Sequence, residues 1–269
     1  MNTAPPGRPR LVSGTVATAL AGTRWRPEVL AASPSTNAVV AARLRAGEPE
    51  GLVVVADHQT AGRGRLDRTW VTPAGAALTF SVLLTPDEVP VARWPWLPLL
   101  TGVAVAEGVR RTVGVDVALK WPNDVLADDR KVCGILVERV ECPRRAGAVV
   151  GVGINVSQTP EELPVPTATT LERAAGRTVD RVALLAGVLD ALTERYDAWR
   201  AAGAQPMDLH SAYTELCDTL GRTVRVRLPS GEDLTGQAVR IDADGRLVVR
   251  TARGETALGA GDVIHLRPQ

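Results

Sequence analysis

Glycine and arginine are concentrated in the stretch HQTAGRGRLDRTW, residues 58–70. Glycine allows the backbone to approach a ligand closely, and arginine directs charge-assisted hydrogen bonds at anionic oxygens. The residues of these two types are Gly62, Arg63, Gly64, Arg65 and Arg68. The stretch therefore predicts a site for phosphate or carboxylate, and we call residues 61–69 the arginine loop. A solvated arginine-rich loop or an RNA-binding tract explains the same residues when they are taken alone.

A second group of polar residues lies in the stretch KWPNDVLADDRKVCGILVE. Asn123 and Asp124 occupy a predicted turn, where an amide and a carboxylate could hold a magnesium-bound phosphate. Lys120 and Lys131 flank that turn, and Gly134 leaves room beside Lys131. An ordinary hairpin turn explains the asparagine and the aspartate equally well, but it does not explain the two lysines.

The lysines are informative because this chain uses arginine almost everywhere else. It has 31 cationic side chains, and Lys120 and Lys131 are its only lysines. Arginine is a planar fork whereas lysine is a compact point charge on a flexible stem, so the two are not interchangeable beside a reacting oxygen. The scarcity of lysine favours a role in chemistry for both residues.

The third group is the stretch GVGIN, residues 151–155. Gly151 and Gly153 lie in a predicted strand, where glycine indicates close approach by a backbone or a ligand. Asn155 could read the edge of an adenine with its amide. Glycine-rich sheet packing is an equally good interpretation. The stretch is neither a P-loop nor a dinucleotide-binding fingerprint, because it lacks the GxxxxGK[ST] and GxGxxG spacings.

Predicted strands and helices position these groups. Apolar runs predict strands in GLVVVADHQ, ALTFSVLL, VDVALKW, KVCGILVERV and AGAVVGVGINV. Helical spacing predicts helices in RLVSGTVATALAG, AVVAARLRAG, WPWLPLLTGVAVAEGVRRTVG, VDRVALLAGVLDALTERYDAWRAAG and MDLHSAYTELCDTLG. Ser35, Thr36 or Asn37 is the predicted cap of the second of these helices. The arginine loop directly follows the first strand, and ligand-binding loops commonly hang from such rigid edges.

The pattern changes near residue 220, where short alternating strands joined by PSGED, DADG and ARGE begin. This pattern is typical of a small barrel of SH3-like size. We therefore predict two domains, residues 1–220 and residues 221–269.

Composition excludes several classes of protein. The net charge of +1 gives no global field for binding nucleic acid. No apolar run approaches the length of about 20 residues that spans a bilayer, and no targeting signal is visible, so we expect a cytoplasmic protein that binds neither DNA nor membranes. The cysteines, Cys133, Cys142 and Cys217, have neither CxxC nor zinc-finger spacing, and we interpret them as idle thiols.

Five motifs in this order resemble the catalytic domain of bacterial biotin protein ligases, followed by their small C-terminal barrel. They are SPSTN, QTAGRGR with RTW, KWPNDV, KVCGILVE and GVGIN. The resemblance runs from about Leu30 to the C-terminus. It implies an α+β fold, with a mixed-sheet catalytic domain of the class II synthetase and biotin/lipoate ligase type and packed helices, plus an SH3-like barrel. The motifs depart from the family at Leu66 and Asp67, where many relatives carry a basic residue and a glycine.

The resemblance implies a role for each matching residue. The ureido end of biotin would contact Ser35, Thr36, Asn37 and Gln59. The biotin carboxylate and the α-phosphate of ATP would lie against Gly62, Arg63, Gly64, Arg65, Lys131 and Gly134. The nucleotide would contact Arg65, Arg68, Trp70, Asn123, Asp124 and Asn155, with Asp124 beside an ATP-bound Mg²⁺. The catalytic charges would come from Arg63, Arg65, Lys120 and Lys131.

The implied activity is that of an enzyme which joins biotin to AMP with ATP and transfers biotin to a lysine of a biotin carboxyl carrier protein. Two other activities stay open. One is a lipoate ligase, which uses the same adenylation chemistry. The other is a transcriptional repressor, because some biotin ligases carry an N-terminal helix-turn-helix. We expect the roughly thirty residues before SPSTN to be too few for such a domain. An adaptor that uses the barrel to bind proline-rich peptides would need an aromatic groove, and the sequence has no aromatic residue after Gly221.

Overall fold

The structure is a computed structural model that describes residues 8–66, 68–143, 146–205, 207–228 and 230–266. The α-helices are α1 (Ser13–Ala19), α2 (Thr36–Arg45), α3 (Trp96–Val113), α4 (Leu171–Ala175), α5 (Arg181–Ala201) and α6 (Met207–Leu216). The first nine strands are β1 (Arg26–Leu30), β2 (Leu52–Ala56), β3 (Gly62–Arg63), β4 (Thr69–Trp70), β5 (Ala77–Leu84), β6 (Ala118–Lys120), β7 (Asp124–Ala127), β8 (Arg130–Glu141) and β9 (Ala146–Asn155). The last five are β10 (Thr223–Arg227), β11 (Asp233–Ile241), β12 (Leu247–Thr251), β13 (Gly254–Leu258) and β14 (Asp262–His265).

A seven-stranded mixed sheet forms the body of the protein, with the strand order β1-β2-β5-β9-β8-β7-β6. Strands β1 and β2 are parallel, and the other neighbours in the sheet are antiparallel. Every residue of β2 and β5 is buried, as expected for apolar runs covered on both faces. The predicted α+β class with a mixed sheet is confirmed.

Helices cover the two faces of this sheet unequally. The long helices α3 and α5 pack together within the main hydrophobic core on one face. On the other face α2 covers only part of the sheet, through Val40 and Leu44 packed against Leu83 and Val149. The rest of that face is left for the arginine loop, whose strands β3 and β4 pair as a hairpin. The functional groups therefore meet on the α2 face, beside the N-terminus of α2.

The C-terminal residues form a separate five-stranded antiparallel sheet with the order β13-β12-β11-β10-β14. Two buried tryptophans connect it to the rest of the protein. The indole N–H of Trp96, at the start of α3, donates to the Ala243 carbonyl, and that of Trp121, directly after β6, donates to the Gly245 carbonyl, each at 3.0 Å. Strand β10 begins at Thr223, while the domain boundary at residue 220 stays a prediction.

Some elements differ from the predicted ones in extent. Ser35 is the N-cap of α2, since its hydroxyl accepts from the Ala38 N–H, and the helix begins at Thr36. The predicted turn after Lys120 continues directly into β7, because Asp124 already pairs with Lys120 across the hairpin. No helix among the described residues is long and apolar enough to cross a membrane.

Candidate active site

A cavity opens on the α2 face of the main sheet and is covered by the arginine loop. Its wall includes most of the residues that the sequence predicted for a site, namely Ser35, Thr36, Asn37, Gln59, Arg63, Gly64, Arg65, Arg68, Trp70, Asn123, Asp124, Lys131 and Gly134. Gly261 and Asp262 of the C-terminal sheet complete the wall. A larger groove of about 950 Å³ adjoins this cavity, shares the arginine loop as part of its lining, and is also lined by Gly62 and Glu138.

Glycines on β8 and β9 give the cavity its floor. A Cβ atom at Gly153 would lie 2.6 Å from the indole of Trp70, and one at Gly134 would lie 3.1 Å from it. A Cβ atom at Gly151 would lie 2.2 Å from Oδ1 of Asn37. The close approach that the GVGIN motif indicated is therefore made by two side chains of this chain, Trp70 and Asn37. The indole nitrogen of Trp70 is buried without a hydrogen-bond partner among the described residues.

Uncharged polar groups form the closed end of the cavity. Oε1 of Gln59 accepts from the Thr36 backbone N–H at 2.8 Å and lies 3.1 Å from the Thr36 hydroxyl. The hydroxyl of Ser81 lies 2.7 Å from Thr36 Oγ1 and 2.6 Å from Asn37 Oδ1. Because Ser81 is completely buried in β5, this network is built into the sheet.

The arginines of the loop each have a different partner. Arg63 pairs with Glu138 on β8 at 3.1 Å. Arg65 donates to Oδ1 of Asn123 at 3.0 Å and to the Gly261 carbonyl at 3.4 Å. Arg68 forms an ion pair with Asp262 at the start of β14. The loop is thus held by the main sheet at one end and by the C-terminal sheet at the other.

Charges concentrate at the open end of the cavity. The Lys131 ammonium lies 2.5 Å from Oδ1 of Asp124 and 5.9 Å from the centre of the Trp70 ring. Burial lowers the pKa of Arg65 and of Lys120, while the carboxylates of Asp124 and Asp262 oppose that shift in both. An anion entering here would relieve the burial cost of these cations.

Three predicted residues lie away from the cavity wall, and one of them, Gly62, lines the larger groove instead. The amide of Asn155 is buried and donates to the Thr169 carbonyl at 3.1 Å, while its oxygen accepts from Gln158 at 2.9 Å. Lys120 is half-buried at the end of β6, and it interacts electrostatically with Asp124 and Asp262, the two aspartates that also interact with Arg65. Burial also raises the pKa of the Cys133 thiol, in keeping with an idle cysteine.

Sequence reasoning missed Ser81, Glu138 and Asp262. The alternation of side chains along β8 was a usable signal for one of them, because Gly134, Leu136 and Glu138 share a face of the strand. The registers place Ser81 opposite Gly151, and Gly151 opposite Leu136. Nothing in a single strand's pattern indicates which residue of the C-terminal sheet reaches the arginine loop.

The arrangement suits an elongated ligand with an uncharged polar head and an anionic tail. The head would meet the hydroxyls and amides of the closed end, and the tail would meet Arg65, Arg68 and Lys131. Fixed cations lower the energy of a reaction in which negative charge concentrates between two anions.

Comparison with known proteins identifies the family to which these features correspond. Residues 29–155 match the model of the Biotin/lipoate A/B protein ligase family, and residues 219–266 match that of the Biotin protein ligase C terminal domain. The chain is 41% identical over 252 residues to the biotin–[acetyl-CoA-carboxylase] ligase of Mycobacterium tuberculosis, covering 92% of each protein. It is 36% identical to the bifunctional ligase/repressor BirA of Bacillus subtilis, and the match covers 80% of this chain and 66% of that one.

Among solved structures, the biotin protein ligase from Aquifex aeolicus in complex with biotin and ATP superposes with a TM-score of 0.76 at 29% identity, covering 90% of this chain and 99% of that one. The ordered motifs, the mixed sheet with its arginine loop and the near full-length similarity agree. The chain belongs to the biotin protein ligases of the biotin/lipoate A/B protein ligase family.

Proposed function

We propose that this chain activates biotin with ATP to form biotinyl-5'-AMP and then transfers biotin to a lysine of a biotin carboxyl carrier protein. The observation that carries the proposal is the polarity of the cavity. Its closed end presents buried hydroxyl and amide groups, whereas its open end is lined by Arg65, Arg68 and Lys131. This matches biotin, which has an uncharged ureido ring at one end and a carboxylate at the other.

In the first step an oxygen of the biotin carboxylate attacks the α-phosphorus of ATP, and the bond to the pyrophosphate oxygen breaks. Two anions must approach each other, so the residues that contribute are cations rather than a nucleophile. Lys131 is the residue for the carboxylate, because it lies over the glycine floor beside Trp70. Arg65 and Arg68 extend from the loop toward the phosphates and would exchange their present protein partners for them.

Mg²⁺ fits this site as part of the ATP complex. The described residues contain no group of three or more His, Cys, Asp or Glu side chains that could hold a metal ion. Mg²⁺ is commonly held by one or two carboxylates together with substrate phosphates, and Asp124 would be the carboxylate here. When bound, the ion would offset part of the phosphate charge.

In the second step the amine of the carrier lysine attacks the acyl carbon, and AMP leaves with the bonding electrons of the acyl–oxygen bond. The mixed anhydride is sensitive to water, so the arginine loop must stay in place between the two steps. The larger groove that adjoins the cavity along that loop offers the amine a path to the acyl carbon.

The closed end favours biotin over lipoate. Lipoate ends in an apolar dithiolane ring, which can form no hydrogen bond with the polar side chains of Ser35, Thr36 and Asn37 that line this end. The ureido ring of biotin can donate and accept hydrogen bonds there. Lipoate ligation is therefore disfavoured by the same residues that support biotin as the substrate.

A mass measurement tests the proposal. We expect the purified chain, given biotin, Mg-ATP and a biotin carboxyl carrier domain, to add the mass of one biotin to the carrier. Parallel reactions with lipoate and its own acceptor domain are the control. Modification with lipoate and none with biotin would refute the proposed substrate.

A further inference from the structure

Glu138 lies between the closed end of the cavity and the arginine loop. It is on β8, on the same face as Gly134 and Leu136, and its side chain is half-buried. One carboxylate oxygen, Oε2, accepts from Asn37 Nδ2 at 2.7 Å and from Arg63 Nη2 at 3.1 Å. A single charged atom therefore contacts both the floor of the cavity and the loop that covers it.

The first contact fixes the orientation of a buried amide. Nδ2 of Asn37 donates to Glu138 and also to the Leu136 carbonyl at 3.3 Å, so Oδ1 must face the other way. Oδ1 lies over Gly151, where any side chain would collide with it. The carboxylate is the stronger of the two acceptors because it is charged and closer.

That orientation determines where the hydroxyl protons lie. Asn37 Oδ1 can only accept, so it receives the proton of Ser81, 2.6 Å away. The 2.7 Å contact between Ser81 and Thr36 is then made by the proton of Thr36, since two bare oxygens at this distance would repel. The longer 3.1 Å contact of Thr36 Oγ1 with Gln59 Oε1 does not need that proton, because this Gln59 oxygen already accepts from the Thr36 backbone N–H. Thr36 Oγ1 keeps its lone pairs for a ligand, and this end of the cavity accepts N–H donors.

Reversing the Asn37 amide would reverse the whole chain of bonds. Its NH₂ group would donate to Ser81, Ser81 would donate to Thr36, and Thr36 would donate to Gln59 Oε1, 3.1 Å away. The bond from Ser81 would then occupy a lone pair of Thr36, and a ureido N–H would have to compete with it for this acceptor.

The second contact concerns the loop. The Arg63 guanidinium is about half exposed, and Glu138 is its ion-pair partner among the described side chains. Arg63 belongs to β3, which pairs with β4 over only two residue pairs. The ion pair to the main sheet therefore adds a side-chain contact to this short backbone pairing.

We propose that Glu138 is a positioning residue of the biotin site, which orients Asn37 so that Thr36 accepts the ureido N–H and which also fastens the arginine loop through Arg63. The part that concerns Thr36 rests on the proposed function. The part that concerns the loop does not, because the ion pair exists without any ligand.

Two substitutions separate the two contacts. Glu138→Gln keeps an acceptor oxygen for Asn37 but removes the charge that holds Arg63. Glu138→Ala removes both the acceptor and the charge. Glu141→Gln is the matched control, because Glu141 lies on the same strand, is exposed and pairs with Arg139 away from the cavity.

The first measurement is the dissociation constant for biotin, together with kcat and KM for biotin-dependent ATP–pyrophosphate exchange. We expect Glu138→Ala to raise the dissociation constant and KM for biotin about tenfold, the loss of roughly one hydrogen bond. Glu138→Gln should stay within about twofold of the parent chain in both. Equal effects of the two substitutions, or a parent-like constant for Glu138→Ala, would overturn the role in orienting Asn37.

The second measurement is hydrogen exchange of residues 62–70 in the ligand-free protein. Both Glu138 variants should exchange several-fold faster in this segment than the parent chain, whereas Glu141→Gln should not. Unchanged exchange in Glu138→Gln would overturn the role in fastening the loop. A parent chain that binds no biotin would instead refute the proposed function, and the exchange measurement would still decide the second role.

Discussion

Lys131 illustrates how much a single residue type can matter at this site. Its ammonium contacts Asp124 and lies beside the Trp70 ring and Gly134, where a Cβ atom would lie 3.3 Å from Nζ. A guanidinium is wider and planar, so it would not reproduce these contacts in the same place. The geometry thus favours a lysine at this position in a chain that otherwise uses arginine.

We expect Lys131→Arg to lower the rate of biotin-dependent ATP–pyrophosphate exchange by at least about 10²-fold, as for loss of one preorganised charge at a transition state. Arg130→Lys is the matched control, because Arg130 is the exposed neighbour at the start of β8 and should tolerate the exchange of cation. A Lys131→Arg enzyme with the parent rate would show that charge alone is needed there.

The arginine loop acts at the scale of an element, since its three arginines reach three different parts of the molecule. Arg65 is the central contact, because it joins the loop to Asn123 in the β6–β7 turn and to the Gly261 carbonyl. Removing its side chain should weaken both the stabilisation of the reacting phosphate and the attachment of the loop.

Arg65→Ala should therefore raise the activation free energy of adenylation by about 2–4 kcal/mol, as for loss of an oxyanion donor. The variant should also release part of the adenylate that it forms. Biotinylation of an unrelated protein such as serum albumin, followed by streptavidin blot, detects the escaped intermediate. Arg111→Ala, a remote exposed arginine paired with Glu194, is the control. A slow Arg65→Ala enzyme that modifies only its carrier would leave Arg65 with a catalytic role alone.

The elements that carry the site were largely predictable from the sequence. Apolar runs predicted β2, β5, β8 and β9, and the arginine loop follows β2 as expected from its position. What could not be predicted is which distant side chains meet on one face of the sheet. The glycines of GVGIN illustrate this, because a strand pattern shows that space is left but not that Trp70 and Asn37 occupy it. Asp262 was missed for the same reason, since it reaches the loop from another sheet.

At the scale of the whole molecule, a histidine joins the C-terminal sheet to the segment that follows α6. His265 on β14 lies 3.1 Å from the Thr219 hydroxyl and 3.6 Å from an oxygen of Asp218, in the segment that follows α6. Burial, aided by the charge of Lys120, lowers the pKa of His265 to about 4. The imidazole is therefore neutral at pH 7 in the folded chain.

This shift predicts a pH dependence of stability. Between about pH 6.5, where an unfolded histidine titrates, and about pH 4, the unfolded chain binds a proton that the folded chain does not. The histidine's contribution to stability is thus fully present above about pH 6.5 and is lost as the pH falls through this window. We expect the fall in Tm between about pH 7 and pH 5 to be smaller in His265→Gln than in the parent chain. An equal fall in both proteins would show that His265 does not contribute.

The position of Trp70 makes the protein its own optical reporter. The chain has six tryptophans, and five of them, Trp25, Trp94, Trp96, Trp121 and Trp199, are buried in the core. Trp70 alone among them lines the cavity, where its indole rests on Gly134 and Gly153. Entry of a ligand changes the surroundings of that one ring and leaves the other five nearly unchanged. Intrinsic fluorescence should therefore follow occupancy of the cavity without any label, and the ligand-dependent part of the signal should disappear in Trp70→Phe.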